Sequence, residues 1–151
     1  MSARAPLTLE LSLVVDARAE ALADEAALRG LALHILQSEA AAGDWEIAVS
    51  LMGDAELQSL HRQFMGIDEP TDIMSFPYGD ELAGGDLAIS FDHARERAQE
   101  WDISPAEEVE FLVAHGVLHL LGWRDGSPEQ RQAMLARQEE LVSLWRSGDS
   151  N

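Results

Sequence analysis

Apolar and polar residues alternate from Leu7 to Leu13, a period of two that predicts a half-buried strand. Residues 18–42 are rich in Ala, Leu and Glu and contain no proline. Leu28, Leu31, Ala32 and Ile35 fall on one helical face there, predicting an amphipathic helix that ends near Gly43. Alternation returns from Trp45 to Leu51 as a second strand, and Gly53-Asp54 opens a short helix with Asp54 as its expected N-cap. Residues 66–71 read as a polar loop, and Ile73–Phe76 as a short strand stopped by Pro77. The glycines within 79–85 predict a turn or hairpin. Asp86–Phe91 reads as a further strand, followed by an Arg/Glu-rich helix to about Trp101. Ser104-Pro105-Ala106-Glu107 is a capping box with proline at the first helical position. Ser127-Pro128-Glu129-Gln130 repeats that grammar and opens a last helix whose apolar side includes Met134, Leu141 and Trp145. This order predicts an α+β fold: a single domain over residues 1–151, with one mixed sheet of about four strands and helices packed on it.

Composition narrows the function classes. The 151 residues suffice for one domain with a hydrophobic core. No apolar run reaches the roughly 18–20 residues that span a bilayer, so no membrane partner is expected. Met1–Pro6 carries only Arg4 as a cation, and the alternation that follows is no signal-peptide core. The chain has no cysteine, which excludes a disulfide-linked partner, a thiol nucleophile and a Cys-ligated metal, and fits a cytoplasmic protein. Its net charge is −18, and every cation is arginine. Nucleic-acid binding through a broad basic surface is therefore excluded, although local arginines could still meet a phosphate.

The candidate chemistry lies in Phe111–Gly122, FLVAHGVLHLLG, which is apolar nearly all round and reads as a buried central helix. Its polar side chains, His115 and His119, are four residues apart and so lie on one face, one turn above the other. Two enclosed imidazoles need partners, and a divalent metal would serve both. Gly122 can end the helix and let the chain return with Asp125 as a third ligand. His115, His119 and Asp125 would leave a fourth position open to water, the arrangement of a catalytic zinc. The competing reading is a hydrogen-bonded structural pair of histidines. Gly116 stands where the metalloprotease motif HExxH has its glutamate, which argues against peptide hydrolysis.

Three segments together resemble the YbeY-type rRNA maturation endoribonucleases. Leu60–Pro77, LHRQFMGIDEPTDIMSFP, is similar to the family's LNxxYRxxDxPTDVLSFP. Gly85–Ser90, GDLAIS, is similar to its GDIxIS strand, and His115–Asp125 to its HGxLHLxGYDH signature. The family's third metal histidine aligns with Asp125 and the aspartate before it with Arg124; a functional arginine aligns with Met65, and His61 replaces the usual asparagine. The resemblance implies a metal-dependent endoribonuclease that cleaves single-stranded rRNA in ribosome maturation. It implies one metal per chain. Zinc suits the imidazole and carboxylate ligand set, with nickel, iron and manganese as the alternatives. Asp72 and Ser75 match family positions beside the metal, while Arg62 and Arg124 are the cations that could replace the missing arginine. Each has a bland alternative: Asp72 braces a turn, Ser75 satisfies backbone, and the arginines are surface charges. His93 and His61 are weaker options for the third ligand. His34 reads as structural, and Glu107, Glu108 and Glu110 as favourable charge at a helix N-terminus. No side chain reads as the general base. The alternative function is a ribosome-assembly binding factor with a structural metal and little catalysis, whose acidity would suit basic small-subunit ribosomal proteins.

Overall fold

The alternating segments form the strands of one mixed sheet in the computed structural model, which describes residues 6–148; most of the Met1–Pro6 segment lies outside them. β1 (Thr8–Val15) and β2 (Asp44–Met52) run parallel, as do β2 and β4 (Ala83–Ser90). β3 (Ile73–Pro77) pairs antiparallel with β4, giving the order β1-β2-β4-β3. The expected α+β fold with one mixed sheet and packed helices is therefore the observed one.

Period-two patterning decides which face is buried. Leu9, Ile47, Val49, Leu51, Leu87 and Ile89 enter the main core. That core also receives α1 (Glu25–Ser38), α4 (Pro105–Leu120) and α5 (Pro128–Arg146). On the other face, α2 (Asp54–Met65) covers the β3–β4 end, where Leu57 packs on Met74 and Ala88. α3 (Phe91–Trp101) follows β4 directly, packs beside α4 and buries Ala94 and Ala98.

Three local expectations need correction. The helix foreseen over residues 18–42 is two pieces, a 3-10 helix at Ala17–Leu22 and α1 at Glu25–Ser38. Ala23 and Asp24 between them are extended, and each piece buries its own apolar side chains. An Ala-rich run conceals such a break because alanine suits every part of a helix. Second, Gly53, not Asp54, caps α2, and the Asp54 N–H donates to Asp92 Oδ2 at 2.8 Å. Asp54 turns its carboxylate to Ser90 Oγ (2.5 Å) and His93 Nδ1 (2.8 Å), tying α2 to the start of α3. Third, Gly84 and Gly85 belong to β4 rather than to the turn. Gly84 has φ +122°, and a Cβ there would sit 1.8 Å from the Glu46 carbonyl oxygen. The glycines permit strand contact that any side chain would prevent.

α4 is the central helix. Ser104 Oγ accepts the Glu107 N–H and Glu107 Oε1 accepts the Ser104 N–H, the reciprocal capping box expected from the sequence. Val109, Val113, Ala114, Val117 and Leu118 are all fully buried. Gly116 rests against the sheet: a methyl there would lie 2.7 Å from Leu87 Cδ2 and 3.1 Å from Ile73 Cδ1. This approach sets α4 close to β3 and β4.

Glu108 is buried on the same helix. Burial pushes its carboxyl above the usual value of 4.5, Arg97 pulls it back and Asp72 adds to the rise. A carboxyl raised in the folded state adds stability below its unfolded pKa, and that contribution is lost as pH rises through the folded value. Glu108→Gln should therefore raise the melting temperature at neutral pH relative to wild type, with the gain vanishing below about pH 4. Thermal unfolding across that range checks it; equal gains at both ends of the range would refute the assignment.

Candidate metal centre

The last two turns of α4 and the loop that follows bring three donors together. His115 Nε2 and His119 Nε2 are 3.1 Å apart. Asp125 Oδ2 lies 3.4 Å from the first and 3.3 Å from the second. A tetrahedral ion with bonds of roughly 2.0–2.1 Å separates its ligands by about 3.3 Å, so this triangle has the size of one metal's coordination face. Among the described residues, it is the group of His, Cys, Asp or Glu side chains close enough to hold a metal.

The outer ring nitrogens are committed elsewhere. His119 Nδ1 lies 3.0 Å from the Trp123 carbonyl oxygen, an acceptor, so Nδ1 carries the proton and Nε2 keeps its lone pair. His115 Nδ1 lies 2.9 Å from Gln138 Oε1 and is held the same way. Two lone pairs and a carboxylate then point into one small volume. A cation there would relieve their repulsion and satisfy all three. Partners of this kind on the far nitrogen are how proteins orient metal-binding imidazoles.

The return loop is anchored as well. Gly122 takes φ +104°, the left-handed conformation expected of it. Trp123 Nε1 donates to Glu39 Oε1 at 2.7 Å, and Glu39 Oε2 accepts from Arg137 Nε at 2.9 Å. Trp123 thus fastens the loop to α1 and α5 while its carbonyl fixes His119.

The triad opens into a cleft of about 640 Å³ whose lining includes His61, Phe64, Met65, Asp72 and Ser75. Ser75 pairs with Leu87 in the β3–β4 register, on the face toward α4. Arg62 and Arg124 are exposed, lie outside this lining and make no ion pair among the described residues. His93 is bonded to Asp54 and stands apart from the triad. His61 lines the cleft, but its Nδ1 meets the Glu69 carbonyl at 2.8 Å, and it is not part of the three-donor group. His34 is half-buried, with an enclosed Nε2 that has no hydrogen-bond partner among the described residues. Ser90, Asp54 and His93 resemble a hydrolytic triad by type only. Here the carboxylate sits in the middle, and the imidazole bonds to it rather than to the hydroxyl.

A family model described as endoribonuclease YbeY matches residues 15–146, nearly the whole chain. The chain belongs to the endoribonuclease YbeY family. An endoribonuclease YbeY from Pelotomaculum thermopropionicum is 36% identical over 86% of this chain and 93% of its own length. One from Chloroflexus aggregans is 34% identical, covering 91% and 96% respectively. The solution structure of TM1509 from Thermotoga maritima superposes with a TM-score of 0.62 at 28% identity, over 93% of this chain and 95% of that one. The family resemblance drawn from the three sequence segments is thus borne out.

Gln138, Glu39 and Arg137 escaped sequence reasoning. Gln138 lies 23 residues from the histidine that it orients, and Glu39 lies 84 residues from Trp123, so no local spacing marks either. No helix among the described residues is long and apolar enough to cross a membrane.

Glu39→Ala should leave the Trp123 indole and the Arg137 guanidinium short of a partner and destabilise the fold by about 1–3 kcal/mol. Urea denaturation measures this; an unchanged midpoint would show that the loop is anchored by other contacts.

Proposed function

We propose that this chain is a metal-dependent, single-strand-specific endoribonuclease acting in rRNA processing and ribosome maturation. Family membership supports the coarse activity, an endoribonuclease in rRNA processing. The observation that carries the finer reading is the triangle of His115 Nε2, His119 Nε2 and Asp125 Oδ2, 3.1–3.4 Å on a side, at an open cleft. These three residues would hold one divalent ion per chain, and the imidazole and carboxylate donors suit zinc. Such an ion supplies Lewis-acid polarisation of a phosphoryl oxygen and neutralises developing negative charge.

The chain's own residues do the remaining work. Gln138 and the Trp123 carbonyl hold the imidazoles in the tautomer that directs Nε2 inward. In the cleft, Ser75 has a hydroxyl that can donate to a phosphate, and Asp72 a carboxylate that can accept from a ribose hydroxyl. Arg62 and Arg124 lie outside the lining and are weak candidates for phosphate binding. Asp125 brings a negative charge that a third histidine would not, so a divalent ion held there would keep less net positive charge. Residues 1–151 act as one domain in this reading, in the cytoplasm, on single-stranded rRNA.

One observation favours a second reading. No lysine or arginine lines the cleft, and the chain carries −18 overall. A ribosome-assembly factor with a structural metal, docking on basic small-subunit ribosomal proteins, would tolerate both.

Elemental analysis should find about one divalent ion per chain. Asp125→Ala should lower metal affinity, and Gln138→Ala should lower it about 10–100-fold by freeing His115. Competition with a chromophoric chelator reads both, and unchanged affinities would remove these residues from the site. His115→Ala should abolish cleavage of a single-stranded oligoribonucleotide. A 2′,3′-cyclic phosphate among the wild-type products would identify the ribose hydroxyl as nucleophile. Wild-type protein that carries metal and folds but leaves RNA intact would favour the assembly-factor reading.

A further inference from the structure

We infer that the cleft holds its RNA by stacking an unpaired base on an apolar lip beside the triad, with Phe64 as the platform, rather than by neutralising phosphates. The inference deepens the endoribonuclease reading and rests on it for the choice of ligand.

The lip is built where α2 ends. Gly66 in the left-handed conformation (φ +70°) terminates the helix, and Phe64 and Met65 occupy its last two positions. Both residues are more than half exposed, at 58% and 62%, although both line the cleft that contains His115, His119 and Asp125. Large apolar groups exposed together at a functional cleft mark a surface that meets a ligand. Phe64 is also held in place. Its ring meets Phe76 of β3 edge-on, with centroids 5.3 Å apart and planes at 67°. Phe76 in turn packs against the cluster of Leu57, Met74 and Ala88 beneath α2. A ring fixed by one edge contact and exposed elsewhere is a preformed stacking surface.

Charge selects the occupant's mode of binding. The lining contains no lysine or arginine, and Met65 occupies the position where the resembling family pattern carries an arginine. A chain of net charge −18 gains nothing from long-range attraction to RNA. Apart from an ion held by the triad, the cleft offers a polyanion the Thr71 and Ser75 hydroxyls, the His61 ring, and aromatic and thioether surface. Every nucleobase has an apolar π-face, and stacking is worth roughly 1–3 kcal/mol per base irrespective of sequence. Bases in a duplex are already stacked and present only their edges. Selection for single strands follows from that preference, and the base lodged at Phe64 sets which phosphate reaches the triad.

The test uses wild-type, metal-loaded protein and a labelled single-stranded 2′-O-methyl oligoribonucleotide of about 12 nucleotides. Gel analysis after each titration verifies that it is intact. Phe64→Ala should raise Kd by roughly five- to hundredfold, while Phe64→Tyr should leave it within about twofold. Phe64 is 58% exposed, so truncating it removes its edge contact with Phe76 but should leave the protein folded, which thermal unfolding checks. A strand of the same length with every base removed should bind wild type more weakly, by about the factor that Phe64→Ala costs, and make little further difference to Phe64→Ala. Between about 50 and 200 mM salt the wild-type Kd should rise by less than about sevenfold, where a site neutralising four phosphates would lose about fiftyfold. An unchanged Kd in Phe64→Ala, equal wild-type affinity for the base-free strand, or a steep salt slope would each overturn the inference. Cleavage assayed separately on unmodified RNA keeps the two ideas apart. Base-dependent binding without cleavage would sink the nuclease reading alone, and cleavage with equal affinity for the base-free strand would sink the stacking inference alone.

Discussion

The close approach of α4 to the sheet at Gly116 is the constraint from which the site follows. Leu87 and Ile73 occupy the space that a side chain at this position would need. The helix can therefore lie low on β3 and β4, with His115 and His119 directed at the cleft along β3. The same position carries the catalytic glutamate in HExxH metalloproteases, so one small residue both packs the helix and removes a peptidase's base. The burial of Val109, Val113, Val117 and Leu118 around it leaves the helix no freedom to roll.

Around that fixed helix the candidate metal site is assembled from separate parts of the chain. α4 supplies the imidazoles, the loop beyond Gly122 supplies the carboxylate, and α5 and the loop backbone supply the acceptors that set the tautomers. The Trp123–Glu39–Arg137 chain joins α1, the loop and α5 into one support. A site held in this way pre-organises its donors before any ion arrives, which lowers the cost of binding one. Asp125 is the departure from the resembling signature that falls on a candidate ligand. The geometry absorbs the exchange, with the carboxylate oxygen as near to both imidazoles as a coordination face requires.

The cleft lining is poor in positive charge. Met65 lines it where the resembling pattern has an arginine, Asp125 contributes a carboxylate, and Arg62 and Arg124 lie outside it. Together they give a less positive centre bordered by apolar surface. Binding energy in such a cleft comes from contact and desolvation more than from charge, and it is correspondingly insensitive to salt.

The sequence by itself determined the strands, the capping box, the buried histidine helix and the family, because each is written within a window of a few residues. Period-two alternation survives folding since one face of each strand is buried, and histidines four apart share a helical face in any context. It misread the break at Ala23–Asp24 and the placement of Gly84 and Gly85, where local composition was compatible with two conformations. Only the tertiary structure decided that Gln138 and Glu39 support the site, that His61 and His93 stand apart from the triad, and that Phe64 is braced on Phe76. Those are contacts between residues far apart in the chain, and their partners are fixed by how the helices pack on the sheet rather than by any pattern along it.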